Sequence, residues 1–136
     1  MATWQADFHL RAIEQWPTDY RERLSRFLPR TKLWTSKVEV WGADDGDRID
    51  VVLDEGGQPT EAFLRVDLRN WSDAFIISLL DFVRRSGLEI ESELGSKIEP
   101  TRAAFALALR SSPAFRFVDD PRGFLDRLAP EDRDDS

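Results

Sequence analysis

Cysteine is absent from this chain, and histidine occurs once, at position 9. Together these two absences exclude disulfides, zinc–thiolate centres, iron–sulfur clusters, thiol nucleophiles and any multi-histidine metal site. Seven glycines and seven prolines in 136 residues are too few for a fibrous or low-complexity protein. Long apolar runs are missing too. The longest candidate, Ala74 to Val83, is interrupted by Asp81 and falls short of the roughly 18 uncharged residues that a bilayer crossing requires. The opening residues, Met1 to Asp7, combine neither a basic start nor an apolar run, so no secretory signal is read there and a cytoplasmic location is expected.

Positive charge is also in short supply: 19 Lys and Arg face 26 Asp and Glu, for a net charge of −7. Nonspecific binding to nucleic acid or to anionic lipid needs a surplus of Lys and Arg, so neither a nucleic acid nor a membrane is expected as a partner. The imbalance is uneven. Between Arg11 and Lys37 seven basic residues stand against three acidic ones, whereas positions 38 to 136 carry twelve against twenty-two. A basic edge on an acidic molecule is either a solvated helix surface or a place where an acidic partner meets it.

What is present is a foldable composition, 41% hydrophobic and 11% aromatic, spread along the length. One domain over residues 1–129 is expected, followed by a charged, disordered tail at 130–136. Trp4, Ala6, Phe8 and Leu10 alternate with Gln5, Asp7, His9 and Arg11, the pattern of a half-buried strand. Pro17 opens and Pro29 closes a segment whose Tyr20, Leu24, Phe27 and Leu28 recur at helical spacing. Period two returns from Lys32 to Trp41, which reads as one strand with Trp34, Val38 and Val40 on one face and Leu33, Lys37, Glu39 and Trp41 on the other.

Ala43-Asp-Asp-Gly-Asp then supplies a turn, Arg48 to Asp54 a strand, Glu55-Gly-Gly-Gln-Pro a second turn and Glu61 to Arg69 a third strand. The strongest helix covers about 72–86, with Phe75, Ile76, Leu79, Leu80 and Val83 on one stripe, Asn70 or Ser72 as cap and Gly87 as stop. A strand over Leu88–Leu94 and an Ala/Leu-rich helix over 101–111 follow, and Ser112-Pro113 and Asp120-Pro121 each mark a further helical turn. The order β-α-β-β-β-α-β-α implies an α+β fold: a single two-layer domain, its antiparallel sheet of about five strands covered by helices on one face.

The other face carries the functional expectation. It is expected to hold mainly charged side chains, among them Lys37, Glu39, Asp50, Arg65, Asp67, Arg69, Glu89, Glu91 and Glu93, with Trp41, Val52 and Phe63 as one apolar patch. Trp41, Val52, Phe63, Arg65 and Arg69 are therefore the candidate binding residues. Arg65, Asp67 and Arg69 would face Glu89, Glu91 and Glu93 as cross-strand ion pairs if their strands are neighbours. No catalytic residue is assigned and no cofactor is expected. His9 and Asp7 share a strand face, but no nucleophile accompanies them and no Gly-x-Ser-x-Gly turn occurs. Asp44, Asp45 and Asp47 could ligate a divalent ion and support a metal-assisted hydrolase or small-molecule site, yet Asp-Asp-Gly-Asp lacks the alternate spacing of a calcium loop.

The expectation that follows is a non-enzymatic protein-binding domain whose partner is another protein or a second copy. At the level of fold analogy alone, small acidic α+β domains with an open sheet face include bacterial secretion chaperones and toxin-immunity proteins.

Overall fold

The structure is a computed structural model that describes residues 5–35, 37–43, 46–69, 72–112 and 115, with 31–35 followed through the backbone alone. The first strand, β1 (Gln5–Ala12), follows the alternation of its sequence, with Ala6, Phe8 and Leu10 buried. Helix α1 (Tyr20–Ser25) is shorter than the 17–28 that the spacing predicts. It buries Tyr20 and Leu24, one turn apart, and Leu28 still donates its N–H to the Leu24 carbonyl at 2.9 Å beyond the helix end. Asp19, in the N-cap position, makes no side-chain cap, its carboxylate being engaged by Arg23 at 2.9 Å.

The predicted strand over residues 32–41 is in fact two: β2 (Arg30–Thr35) and β3 (Val38–Gly42), antiparallel and joined by a tight reversal. The remaining elements are β4 (Arg48–Leu53), β5 (Pro59–Asp67), α2 (Asp73–Ser86), β6 (Leu88–Ser92), the two-residue β7 (Lys97–Ile98) and α3 (Arg102–Arg110). Two glycines are required by the backbone. Gly42 has φ 112°, and a Cβ there would lie 2.3 Å from the Asp47 carbonyl oxygen across the hairpin. Gly87, at φ 65°, ends α2 in the left-handed conformation that a side chain disfavours.

Six antiparallel strands, with β7 added at one edge, form one sheet in the order β2-β3-β4-β5-β1-β6-β7. Strands β2 to β5 are a meander, and β1 is inserted between β5 and β6, so the chain's first strand lies near the middle of the sheet. One face packs against the three described helices. Phe8 of β1 meets Phe105 of α3 with ring centroids 5.1 Å apart, and the buried residues of α1, α2 and α3 join those of the sheet in a single core. This is the two-layer α+β domain that the element order implies. Of the turn predicted at Ser112-Pro113, Ser112 and Phe115 are described: the Phe115 N–H donates to the Ser112 carbonyl at 3.1 Å, and Phe115 packs against the core, whereas the turn predicted at Asp120-Pro121, the tail at 130–136 and the predicted strand position of Trp4 lie outside the described residues.

Helix α2 is capped as its sequence indicates: the Phe75 N–H donates to Ser72 Oγ at 3.2 Å. Ser72→Ala is expected to lower stability by about 1 kcal/mol, read from the midpoint of urea unfolding. An unchanged midpoint would show that the cap bond contributes nothing.

Candidate functional site

The second sheet face points away from the helices; it is open at Phe63 of β5 but buried at β3, where Val40 is 1% exposed. Registers fix its membership, because directly paired residues share a face. Asp7 pairs with Arg65, His9 with Phe63 and Glu91, Asp50 with Phe63, and Val52 with Glu61 and Val38. Phe63 thus stands near the middle of this face, 49% exposed. Around it the charges close on one another. Arg65 Nε donates to Asp7 at 3.0 Å, and Arg48 engages both oxygens of Asp50 at 2.9 Å. At the far side Lys97 reaches Glu89 at 3.3 Å and Arg11 reaches Glu91 at 3.7 Å. The acids Asp7, Asp50, Glu61, Asp67, Glu89 and Glu91 outnumber Arg11, Arg48, Arg65 and Lys97 by two, and of these acids Asp67 is buried.

His9 belongs to this network rather than to a pair with Asp7. Its ring stacks on Phe63, centroids 5.1 Å apart and planes 17° from parallel. Arg11 Nε donates to His9 Nδ1 at 3.2 Å, which leaves Nε2 as the N–H that meets Glu61 at 2.5 Å. With both ring nitrogens occupied, the imidazole holds its neighbours in place and has no lone pair free to abstract a proton.

Several expectations need correction. Trp41 is not on this face: it pairs with Ile49 and lies in the core, 3% exposed. Glu39 is likewise on the helix side and buried, while Val38 and Val40, expected on the core face, lie on the face away from the helices, where Val40 is nonetheless buried. The reversal between β2 and β3 consumes residues that a continuous strand would have alternated through, and a shift of one residue exchanges the faces. Val52 and Phe63 are where the sequence placed them, on adjacent strands. Arg65 is on the face but pairs with Asp7, because β1 separates β5 from β6 and keeps it away from the glutamates. Arg69 lies past the end of β5, its backbone N–H donating to Asp67 Oδ1 at 2.9 Å. Glu93 and Lys37 fall in turns.

Sequence reasoning also missed Glu39 as a buried carboxylate. Tyr20 Oη donates to its Oε1 at 2.9 Å and Arg21 Nε to its Oε2 at 2.8 Å, which pins α1 to β3. Burial, reinforced by the bond to Glu39, holds the Tyr20 phenol well above its ordinary range. The available signal was a single acid inside Val38-Glu-Val-Trp41, an apolar run.

Of the hairpin acids proposed as metal ligands, Asp44 and Asp45 lie outside the described residues. Asp47 Oδ1 accepts the Asp67 N–H at 2.8 Å. Burial pushes its carboxyl up to about 6, the hydrogen bond opposing and the Asp67 charge adding to the shift. Among the described residues no three acidic or histidine side chains gather as a metal site would require, and no helix is long and apolar enough to cross a membrane.

The chain matches no protein-family model, no curated protein and no solved structure.

Proposed function

We propose that this chain is a non-enzymatic protein-binding domain of the cytoplasm that uses the open sheet face centred on Phe63. The observation that carries the reading is one aromatic ring, half exposed, ringed by side chains whose charges are already paired. An exposed aromatic anchor inside a polar rim is the arrangement from which interfaces draw most of their energy. Val52 and Val38, half-buried on the neighbouring strands, extend the apolar centre.

The charge balance of the face selects the partner. A basic client would be drawn to a surplus of acid, and here six acids stand against four bases, with one of the six, Asp67, buried. A second copy of a −7 molecule, by contrast, is repelled least where acids and bases alternate. Self-association is therefore the first form of the proposal to test. Light scattering at low and high concentration is expected to give a dimer for the wild type and a monomer for Phe63→Ala. Because Phe63 is half exposed, that substitution is expected to change stability by less than about 1 kcal/mol. A wild type that stays monomeric, or a variant that dimerises equally well, contradicts the reading.

A further inference from the structure

On the opposite side of the molecule from Phe63, α1 and α2 enclose a groove of about 530 Å³. We propose that it binds a small molecule made of an aromatic body and one anionic head group. The volume lies within the range of about 300–1,000 Å³ found for small-molecule sites. Its apolar lining is aromatic: Phe82 is 4% exposed, and the half-buried Phe27 stands 5.9 Å from it, ring planes 53° apart. The half-buried Phe27 is the ring that a flat ligand can lie against, with Phe82 packed beside it in the core.

The rim supplies the anion site. Arg23, Arg26 and Arg85 all line the groove, and two of them are held in position by their own helices. Arg23 Nε forms an ion pair with Asp19 Oδ1 at 2.9 Å, and its Nη1 donates to the Arg85 carbonyl at 2.9 Å and to Ser86 Oγ at 3.3 Å. Arg85 Nε donates to Asp81 at 2.8 Å. Each guanidinium is therefore fixed at one edge, while Arg23 Nη2 and both Nη groups of Arg85 have no partner among the described residues. Donors already oriented lose little freedom when they bind, and the guanidinium fork matches a carboxylate, sulfonate or phosphate.

Arg26 adds the charge that the two acids do not cancel. Its contact with Glu22 is 3.5 Å long, with both side chains 69% exposed, an arrangement that yields to a ligand at little cost. This helix belongs to the stretch from Arg11 to Lys37, where seven basic residues stand against three acidic ones, so a small anion approaching an otherwise acidic protein is drawn here.

Anilinonaphthalene sulfonate, an aromatic anion whose fluorescence rises on leaving water, is the probe, titrated into the full folded chain. Saturable enhancement is expected, weakened about five-fold by Arg26→Glu and again by Arg85→Glu, the size of a surface charge contact of about 1 kcal/mol. Neutral phenylnaphthylamine, the same ring system without the anion, is expected to bind at least about ten-fold more weakly. Ser78→Trp, which fills the groove and leaves all three arginines in the sequence, is expected to abolish binding, and unchanged circular dichroism identifies variants that remain folded. Phe63→Ala is expected to leave the titration unchanged, which separates this site from the sheet face. No saturable binding at millimolar probe, equal affinity for the neutral compound, or loss of binding in Phe63→Ala overturns the proposal.

Discussion

Trp41→Ala is expected to destabilise the fold by about 3–5 kcal/mol, the range measured when a large aromatic is deleted from a packed core. Trp41 is 3% exposed and shares the core with Ile49, Leu64 and the inner faces of the helices. The lost contacts and the void left behind both contribute, because a close-packed interior relaxes only in part. For a domain whose whole stability is about 5–15 kcal/mol, a deletion of that size leaves a substantial unfolded fraction. Had Trp41 stood on the open face, the same substitution would cost no more than about 0.5 kcal/mol. Urea unfolding separates the two cases.

A conservative variant sharpens the test. Trp41 Nε1 is buried and has no hydrogen-bond partner among the described residues. Trp41→Phe keeps most of the apolar area and removes that unsatisfied donor, so it is expected to cost less than about 1.5 kcal/mol. Both variants should retain the mass of the wild type in their folded fraction, since Trp41 does not reach the face that carries Phe63. A Trp41→Ala protein with wild-type stability and altered mass would return Trp41 to the surface and undo the register of β3.

That register shows where the sequence can be read and where it cannot. Strands β1, β4 and β5 are legible because one side of each chain segment is apolar and the other charged, and α2 and α3 because Ser72 and Thr101 cap them and Gly87 closes the first. The β2–β3 hairpin is illegible for a local reason. Thr35-Ser36-Lys37 contains none of Gly, Pro, Asn or Asp, and the alternation of large and charged residues continues across it. Missing that reversal exchanges the faces of Trp41 and Glu39, and with them a third of the predicted patch. Glu39 defeats the pattern for a second reason: its charge argues for solvent, and only Tyr20 and Arg21, nearly twenty residues away, make its burial tolerable.

Strand order is illegible for a different reason. Nothing in residues 5–12 states that they pair with residues from 62 to 67 on one side and 88 to 92 on the other. The predicted ion pairs between Arg65 and the glutamates of β6 fail on that point alone. Of the charges expected on the solvated face, Glu39 and Asp67 are buried, and Arg65 keeps its exposure with a different partner, Asp7. Phe63 and Val52 survive because they depend only on the phase of β4 and β5, which the turn glycines fix on either side.

Asp47→Asn is expected to raise stability at neutral pH by about 2 kcal/mol, an increase that fades as the solution is acidified. In the folded chain burial lifts the Asp47 carboxyl to about 6 from an ordinary value of 3.8, so the folded state holds the proton more tightly than the unfolded state. The sign follows from linkage. Above pH 6 the folded protein keeps an ionised carboxylate that it binds poorly, and this penalty is fully present. As pH falls from about 6 to about 4 the folded state takes up a proton that the unfolded state does not, and the penalty disappears. A gap of about two units corresponds to about 3 kcal/mol as an upper bound, and access of water to the partly exposed hairpin reduces it. Asparagine retains an oxygen to accept the Asp67 N–H, now at 2.8 Å from Asp47 Oδ1, and loses the charge that sits near the Asp67 carboxylate. Thermal melts at pH 7.5 and pH 4 are the measurement: the variant should melt roughly 5–10 °C above the wild type at the higher pH and together with it at the lower. Equal melting temperatures at pH 7.5 would mean that Asp47 is as well solvated in the folded chain as in the unfolded one, and that the β3–β4 hairpin opens its acids to water.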